Sequence, residues 1–216
     1  MDVDRIEHKE EKITLAKKIL DKVKNGQTIG IGSGSTVYLA VIEIEKMLDE
    51  KNWDITVIPA SDEIEELCKK SSHIKIGNLI ENEIDWAFDG ADEIDENNNL
   101  IKGGGKALFR EKINMLSTNT TTYILVDNTK FVKKLGEKHY LPIEVFPRAL
   151  KYVSDELRKI GATEIIYKGL TDNNNSIINV KFENTDLDET LSKQIKLITG
   201  VIESGLFCNF NITVVK

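Results

Sequence analysis

Three neighbouring blocks, Asp89-Gly90-Ala91-Asp92-Glu93-Ile94-Asp95, Lys102-Gly103-Gly104-Gly105 and Arg110-Glu111-Lys112, place carboxylates, a lysine and bare backbone amides within about two dozen residues. Carboxylates exchange protons, while a lysine and glycine amides stabilise a developing oxyanion, so the set is equipment for moving protons on a phosphorylated sugar. An earlier loop, Gly30-Ile31-Gly32-Ser33-Gly34-Ser35-Thr36, stands between a short apolar run and a helical pattern. Such a loop directs free N-H groups and the positive end of a helix dipole at an anion, with Ser33, Ser35 and Thr36 adding hydroxyls. The plainer reading of its glycines is a tight strand-to-helix turn. A dinucleotide is disfavoured: the third glycine of the fingerprint is replaced by Ser35, and the next strand ends in Pro59-Ala60-Ser61 rather than an acid. The acids and asparagines from Asp89 to Asn99 lack the alternation and central glycine of a calcium loop, so no metal is expected.

These residues need a scaffold, and the pattern supplies one. Ile13, Ala16, Ile19, Leu20 and Val23 recur at helical spacing from about Lys9 to Val23, and Asn25-Gly26 ends that helix. Strands are predicted at Thr28 to Ile31, Ile55 to Ile58, Ile74 to Leu79, Ile84 to Phe88 and Tyr123 to Asp127. Helices are predicted from about Val37 to Leu48, from Asp62 (with Glu65 at capping-box spacing) to about Lys70, and from about Lys106 to Leu116. The alternation implies a parallel sheet, beyond whose carboxyl ends ligands sit; Asp89 and Asp92 follow a strand there. The run Asp95-Glu96-Asn97-Asn98-Asn99 reads as a solvated turn, and Lys106, Arg110 and Lys112 as surface charge. Lys130, just past a strand, reads equally as a solvated residue or a phosphate contact.

Beyond Lys130 the pattern changes. Strands at Leu141 to Val145, Thr163 to Tyr167, Ser176 to Phe182 and Val201 to Phe207 interleave with helices at Ala149 to Ile160 and Leu187 to Ile198. The order β-α-β-β-α-β is that of a ferredoxin-like unit. The fold class is therefore α/β, a Rossmann-like parallel-sheet domain (1–130 plus 200–216) with a smaller ferredoxin-like α+β domain (131–199).

Composition narrows the function. A formal net charge of -7 over 216 residues leaves no surface to neutralise a nucleic-acid backbone. No apolar run approaches the roughly 18 residues of a membrane span, and the charged first residues are no signal peptide, so a cytoplasmic, membrane-free protein is expected. Cys68 and Cys208 read as free thiols in a reducing compartment.

With these blocks assembled, the chain resembles the type A ribose-5-phosphate isomerases. The resemblance rests on Gly32-Ser33-Gly34-Ser35-Thr36, Asp89-Gly90-Ala91-Asp92-Glu93-Ile94-Asp95, Lys102-Gly103-Gly104-Gly105, Arg110-Glu111-Lys112, Asp127 with Lys130, and Leu141-Pro142-Ile143-Glu144-Val145. It implies interconversion of ribose 5-phosphate and ribulose 5-phosphate in the pentose phosphate pathway, without metal or organic cofactor, by a homodimer or homotetramer. It also implies Glu111 as general base, with Asp89, Asp92 and Lys102 as catalytic polar groups. Ser33, Gly34, Ser35, Thr36, Gly90, Ala91, Gly103, Gly104, Gly105, Lys130 and, in the first helix, Lys12 would bind substrate. Two features depart from the family pattern: Lys106 stands where a small residue usually follows the glycines, and the end after Phe207-Cys208-Asn209-Phe210 is short. A non-catalytic sugar-phosphate sensor on the same fold is the alternative, and it would need the phosphate loop but not Glu111 with Lys102.

Overall fold

A computed structural model describes residues 1–216. In chain order the elements are α1 (Lys9–Lys17), β1 (Thr28–Ile31), α2 (Ser35–Lys51), β2 (Ile55–Pro59), α3 (Asp62–Cys68), β3 (Ile74–Ile76), β4 (Trp86–Asp89), β5 (Glu93–Ile94), β6 (Leu100–Ile101) and α4 (Leu108–Leu116). There follow β7 (Thr122–Leu125), β8 (Leu141–Val145), α5 (Leu150–Lys159), β9 (Ala162–Leu170), β10 (Ser176–Phe182), α6 (Glu189–Lys196), β11 (Val201–Ser204), β12 (Leu206–Phe207) and β13 (Ile212–Val215). The chain divides into two compact units, Met1–Gly90 with Arg110–Thr129 and Asn211–Lys216, and Ala91–Phe109 with Lys130–Phe210.

The first unit is built on a six-stranded sheet of order β13-β7-β4-β1-β2-β3, with every pairing parallel. Read from the β3 edge, this is the doubly wound order in which the chain reverses direction between β1 and β4, the place where such sheets bind ligands. The central strands are short and apolar because parallel strands are covered on both faces. Ile29, Ile31, Val57 and Phe88 are buried with Val37, Val41, Ile44 and Leu48 of α2. α2 is preceded by Gly34, whose φ of 90° is a conformation open to glycine, and followed by Asn52 in the αL region.

The second unit holds a four-stranded antiparallel sheet of order β11-β8-β10-β9 and a three-stranded sheet β12-β6-β5. The first follows the β-α-β-β-α-β order of β8 to β11 and has the strand order of a ferredoxin-like fold. Val153 and Leu157 lie one helical turn apart on α5, and both are buried among Leu141, Ile143, Val145, Ile178 and Val180.

Several elements differ from the sequence expectation. The first helix ends at Lys17, after which a separate 3-10 turn, Leu20–Lys22, carries the chain on. α3 is capped one residue earlier than the acidic spacing predicts: Ser61 Oγ accepts from Ile64 N at 3.3 Å, and Asp62 lies in the first turn. The final predicted strand breaks at Gly205 into β11 and β12, and the break takes a glycine because a side chain there would stand 2.2 Å from the Lys102 carbonyl oxygen. β13 has no counterpart in the pattern reading; Ile212–Val215 finds its place by pairing in parallel with β7. The Asn-rich run is a turn as expected, closed by Asp95, which accepts from the backbone N-H groups of Asn97 and Asn99 at 2.9 and 2.8 Å.

Candidate active site

In the first unit the site begins with register. Ile31 at the end of β1 pairs with Phe88 of β4, and Gly32 N donates to the Phe88 carbonyl at 2.9 Å. Asp89, the residue after Phe88, and Ser33, two residues after Ile31, therefore come together at the switch point. Asp89 is 2% exposed, and its Oδ1 accepts from Ser33 N at 3.3 Å and Gly90 N at 2.7 Å. The close approach requires glycine at 32, where a Cβ would stand 1.9 Å from the Asp89 carboxyl carbon.

Glu111, in the first turn of α4, is 3% exposed, and Ser33 Oγ donates to its Oε1 at 2.5 Å. Helix placement and loop placement thus meet at one charge-assisted hydrogen bond, a strong kind. Arg110 is not idle surface charge: its Nη1 binds Asp62 Oδ1 at 2.7 Å, tying α4 to the start of α3. Lys112 also departs from that expectation, being 6% exposed. Asn114, one turn further along α4, escaped the sequence reading; it is buried and its Nδ2 donates to the Ile58 carbonyl at 2.8 Å. Its signal was available: a polar residue three positions after Glu111 among the apolar residues of the helix.

Ser35 and Thr36 are the first residues of α2, where unpaired backbone N-H groups and the helix dipole favour an anion. Lys12 Nζ donates to Ser35 Oγ at 2.8 Å, bringing a cation from α1 to the same helix terminus. Lys12 and Ser35 border a cavity of about 410 Å³ whose wall also includes Arg5 and Glu7.

The second unit groups Asp92, Lys102 and the glycines. Asp92 N donates to the Ile101 carbonyl across the β5–β6 hairpin, and Gly104 N donates to Asp92 Oδ2 at 2.9 Å. Lys102 is buried, with its Nζ 5.7 Å from the centroid of the Phe207 ring, within cation-π range. Lys106 closes the glycine turn by donating its N-H to the Gly103 carbonyl at 2.9 Å and is itself in the αL region at φ 63°. Glu93, next to Asp92, is fully buried and accepts from the backbone N-H groups of Gly136, Lys138 and His139, each at 2.6 Å, so it organises the segment after Lys130. Lys130 ends a 3-10 turn that starts at Asn128.

A doubly wound parallel sheet with a helix terminus and a buried carboxylate at its switch point defines a Rossmann-like α/β protein. The family model of ribose 5-phosphate isomerase A (phosphoriboisomerase A) matches residues 56–216. Ribose-5-phosphate isomerase A of Methanocaldococcus jannaschii is 40% identical over 204 residues, covering 91% of this chain and 89% of the relative. Ribose-5-phosphate isomerase A 1 of Oceanobacillus iheyensis is 36% identical over 209 residues, covering 94% and 92%. Among solved structures, the Methanocaldococcus jannaschii enzyme superposes with a TM-score of 0.90 at 36% identity, covering 97% of this chain and 96% of that one. A D-ribose-5-phosphate isomerase in complex with phospho-erythronic acid superposes with a TM-score of 0.89 at 34% identity, covering 97% and 95%. The chain belongs to the ribose 5-phosphate isomerase A family.

Proposed function

We propose that this chain interconverts D-ribose 5-phosphate and D-ribulose 5-phosphate through an enediolate, in the non-oxidative pentose phosphate pathway of the cytoplasm, as a homodimer or homotetramer. The observation that carries the reading is the buried Glu111 carboxylate held by Ser33 at 2.5 Å beside Asp89. In the open-chain aldose, Glu111 removes the proton from C2 and returns it to C1. O1 gains a proton and O2 loses one, and Asp89 serves ring opening and this oxygen-to-oxygen transfer. Lys102 and the Gly103 and Gly105 amides stabilise the oxyanion as charge develops, while Asp92, which takes the Gly104 N-H, orients hydroxyls. Ser35, Thr36, Lys12 and Lys130 hold the phosphate, with Ser33, Gly34, Gly90 and Ala91 shaping the loops around the sugar. No metal or organic cofactor takes part. A sensor needs no Glu111 bound to Ser33, and family membership gives that alternative no support.

The test is a coupled assay of the purified protein with ribose 5-phosphate, with and without EDTA. Turnover in both is expected; its disappearance with EDTA overturns the metal-free mechanism, and its absence in both overturns the assignment. Glu111→Gln should fold, bind substrate and lose about a hundredfold or more in kcat. Near-normal turnover in that variant removes Glu111 from the role.

A further inference from the structure

Asn114 follows Glu111 by three residues, so the two project from one face of α4. It is 4% exposed. Asparagine is a poor helix former, and a buried amide costs free energy unless its hydrogen bonds are made, so its bonds must account for its presence. Nδ2 lies 2.8 Å from the carbonyl oxygen of Ile58 in β2 and 3.5 Å, the outer limit of a hydrogen bond, from that of Ile31 at the end of β1. Both partners only accept, so the amino end of the amide must face them. Thr118 Oγ1 donates to the backbone carbonyl of Asn114 at 2.7 Å, a bond within the end of the helix that leaves the side-chain amide to the two strand carbonyls.

These bonds close a circuit. Ile31 leads in two residues to Ser33, Ser33 Oγ binds Glu111, and one helical turn later Asn114 returns to the ends of β1 and β2. Apolar packing is non-directional and leaves a helix free to roll or slide on a sheet by a fraction of an ångström. A directed bond from the helix to a strand terminus removes that freedom.

We propose that Asn114 is a positioning residue for Glu111: it sets the rotation and height of α4 over the ends of β1 and β2, so that the carboxylate meets the Ser33 hydroxyl in one geometry. The proposal rests on the reading of Glu111 as the proton carrier. It assigns Asn114 an effect on the chemical step and little on binding, since none of the phosphate contacts proposed above lies on α4. A group that transfers a proton must be held to within about 0.5 Å, and a misplacement of about 1 Å costs on the order of a hundredfold.

The experiment compares Asn114→Asp, which keeps the size but turns an acceptor toward the carbonyls, and Asn114→Ala, each alone and combined with Glu111→Gln. Steady-state kinetics with ribose 5-phosphate are run below the melting midpoint of each variant, with the folded fraction measured by circular dichroism. Per folded molecule, kcat should fall about 10- to 100-fold while KM stays within about threefold, because only an interaction made in the transition state is lost. In the Glu111→Gln background the further loss should shrink to less than about threefold, since residues acting through one another are non-additive. A kcat within threefold of the parent, a loss carried by KM, or a full multiplicative loss in the Glu111→Gln background overturns the proposal. Should the Asp variant not fold, the Ala variant alone decides between these results. A Glu111→Gln enzyme with near-parental turnover overturns the base assignment instead, whereas an inactive Glu111→Gln beside an unimpaired Asn114→Ala removes Asn114 alone.

Discussion

At the residue scale, the site depends on how short polar side chains use a few hydrogen bonds. Ser33, read from sequence as a substrate contact, spends its hydroxyl on Glu111. Ser35 and Lys12 meet each other at 2.8 Å at the start of α2, where a phosphate would find a hydroxyl, an ammonium and helix N-H groups together. Ser35→Ala and Lys12→Ala should each raise KM for ribose 5-phosphate by about 5- to 30-fold, about 1 to 2 kcal/mol of uniform binding, while kcat changes less. An unchanged KM in initial-rate measurements would move the phosphate elsewhere. Cys68 illustrates the opposite environment: it is fully buried, and burial pushes its thiol up to about 12 from an ordinary value near 9. Its folded pKa lies above its unfolded one, so the stability it contributes is present below pH 9 and is lost as pH rises toward 12. Urea midpoints should therefore fall over that window, and the fall should be smaller in Cys68→Ala; equal slopes in both proteins would contradict this. At neutral pH the thiol should resist a disulfide reagent until the chain unfolds.

At the element scale, strand ends and helix starts do the positioning. β1 and β4 run in register, so Ser33, just past β1, and Asp89, the last residue of β4, are neighbours although 56 positions separate them in the chain. Gly32 is the hinge of that arrangement because the Asp89 carboxylate occupies the space of any side chain there. Gly32→Ala forces the carboxylate or the loop aside, which should cost about 1 to 3 kcal/mol in stability and at least about tenfold in kcat. Thermal melts and kinetics on the same preparation check it; wild-type values for both would mean the loop yields freely. α4 is held by polar fasteners as well as by packing, Arg110 to Asp62 at one end and Asn114 to Ile58 further on. The sequence marked this helix by its apolar spacing, but which of its polar residues face inward depends on how the helix is rotated against the sheet. Arg110 and Lys112 therefore read as surface charge, and Asn114 carried no reading at all.

At the scale of the whole molecule, the chain passes between its two units four times, at 90/91, 109/110, 129/130 and 210/211. The first unit is completed by β13, which arrives after the second unit has been spelled out and pairs in parallel with β7. Each unit has its own apolar core. In the second, Leu157 is fully buried on α5, and Leu157→Ala should lower unfolding free energy by about 2 to 5 kcal/mol. A chemical-denaturation midpoint equal to that of the parent would show that α5 contributes little to the second core. No helix is long and apolar enough to cross a membrane.

The sequence by itself determined most of the longer helices and strands, the α/β class and the ferredoxin-like order of the second half, and it proposed the blocks that would carry chemistry. Each of these follows from local information: hydrophobic period, glycine and asparagine punctuation, and acids, lysines and glycines at fixed spacing. The turn from Asp95 to Asn99 and the strands Leu141 to Val145 and Ser176 to Phe182 were legible for the same reason. Tertiary structure alone decided that Ser33 meets Glu111, that Asp89 fills the space left by Gly32, that Glu93 is a buried acceptor of three backbone amides, and that Ile212 to Val215 is the sixth strand of a sheet. These are pairings between residues far apart in the chain, fixed by strand register and helix rotation, and neither quantity is written in the local pattern of the residues involved.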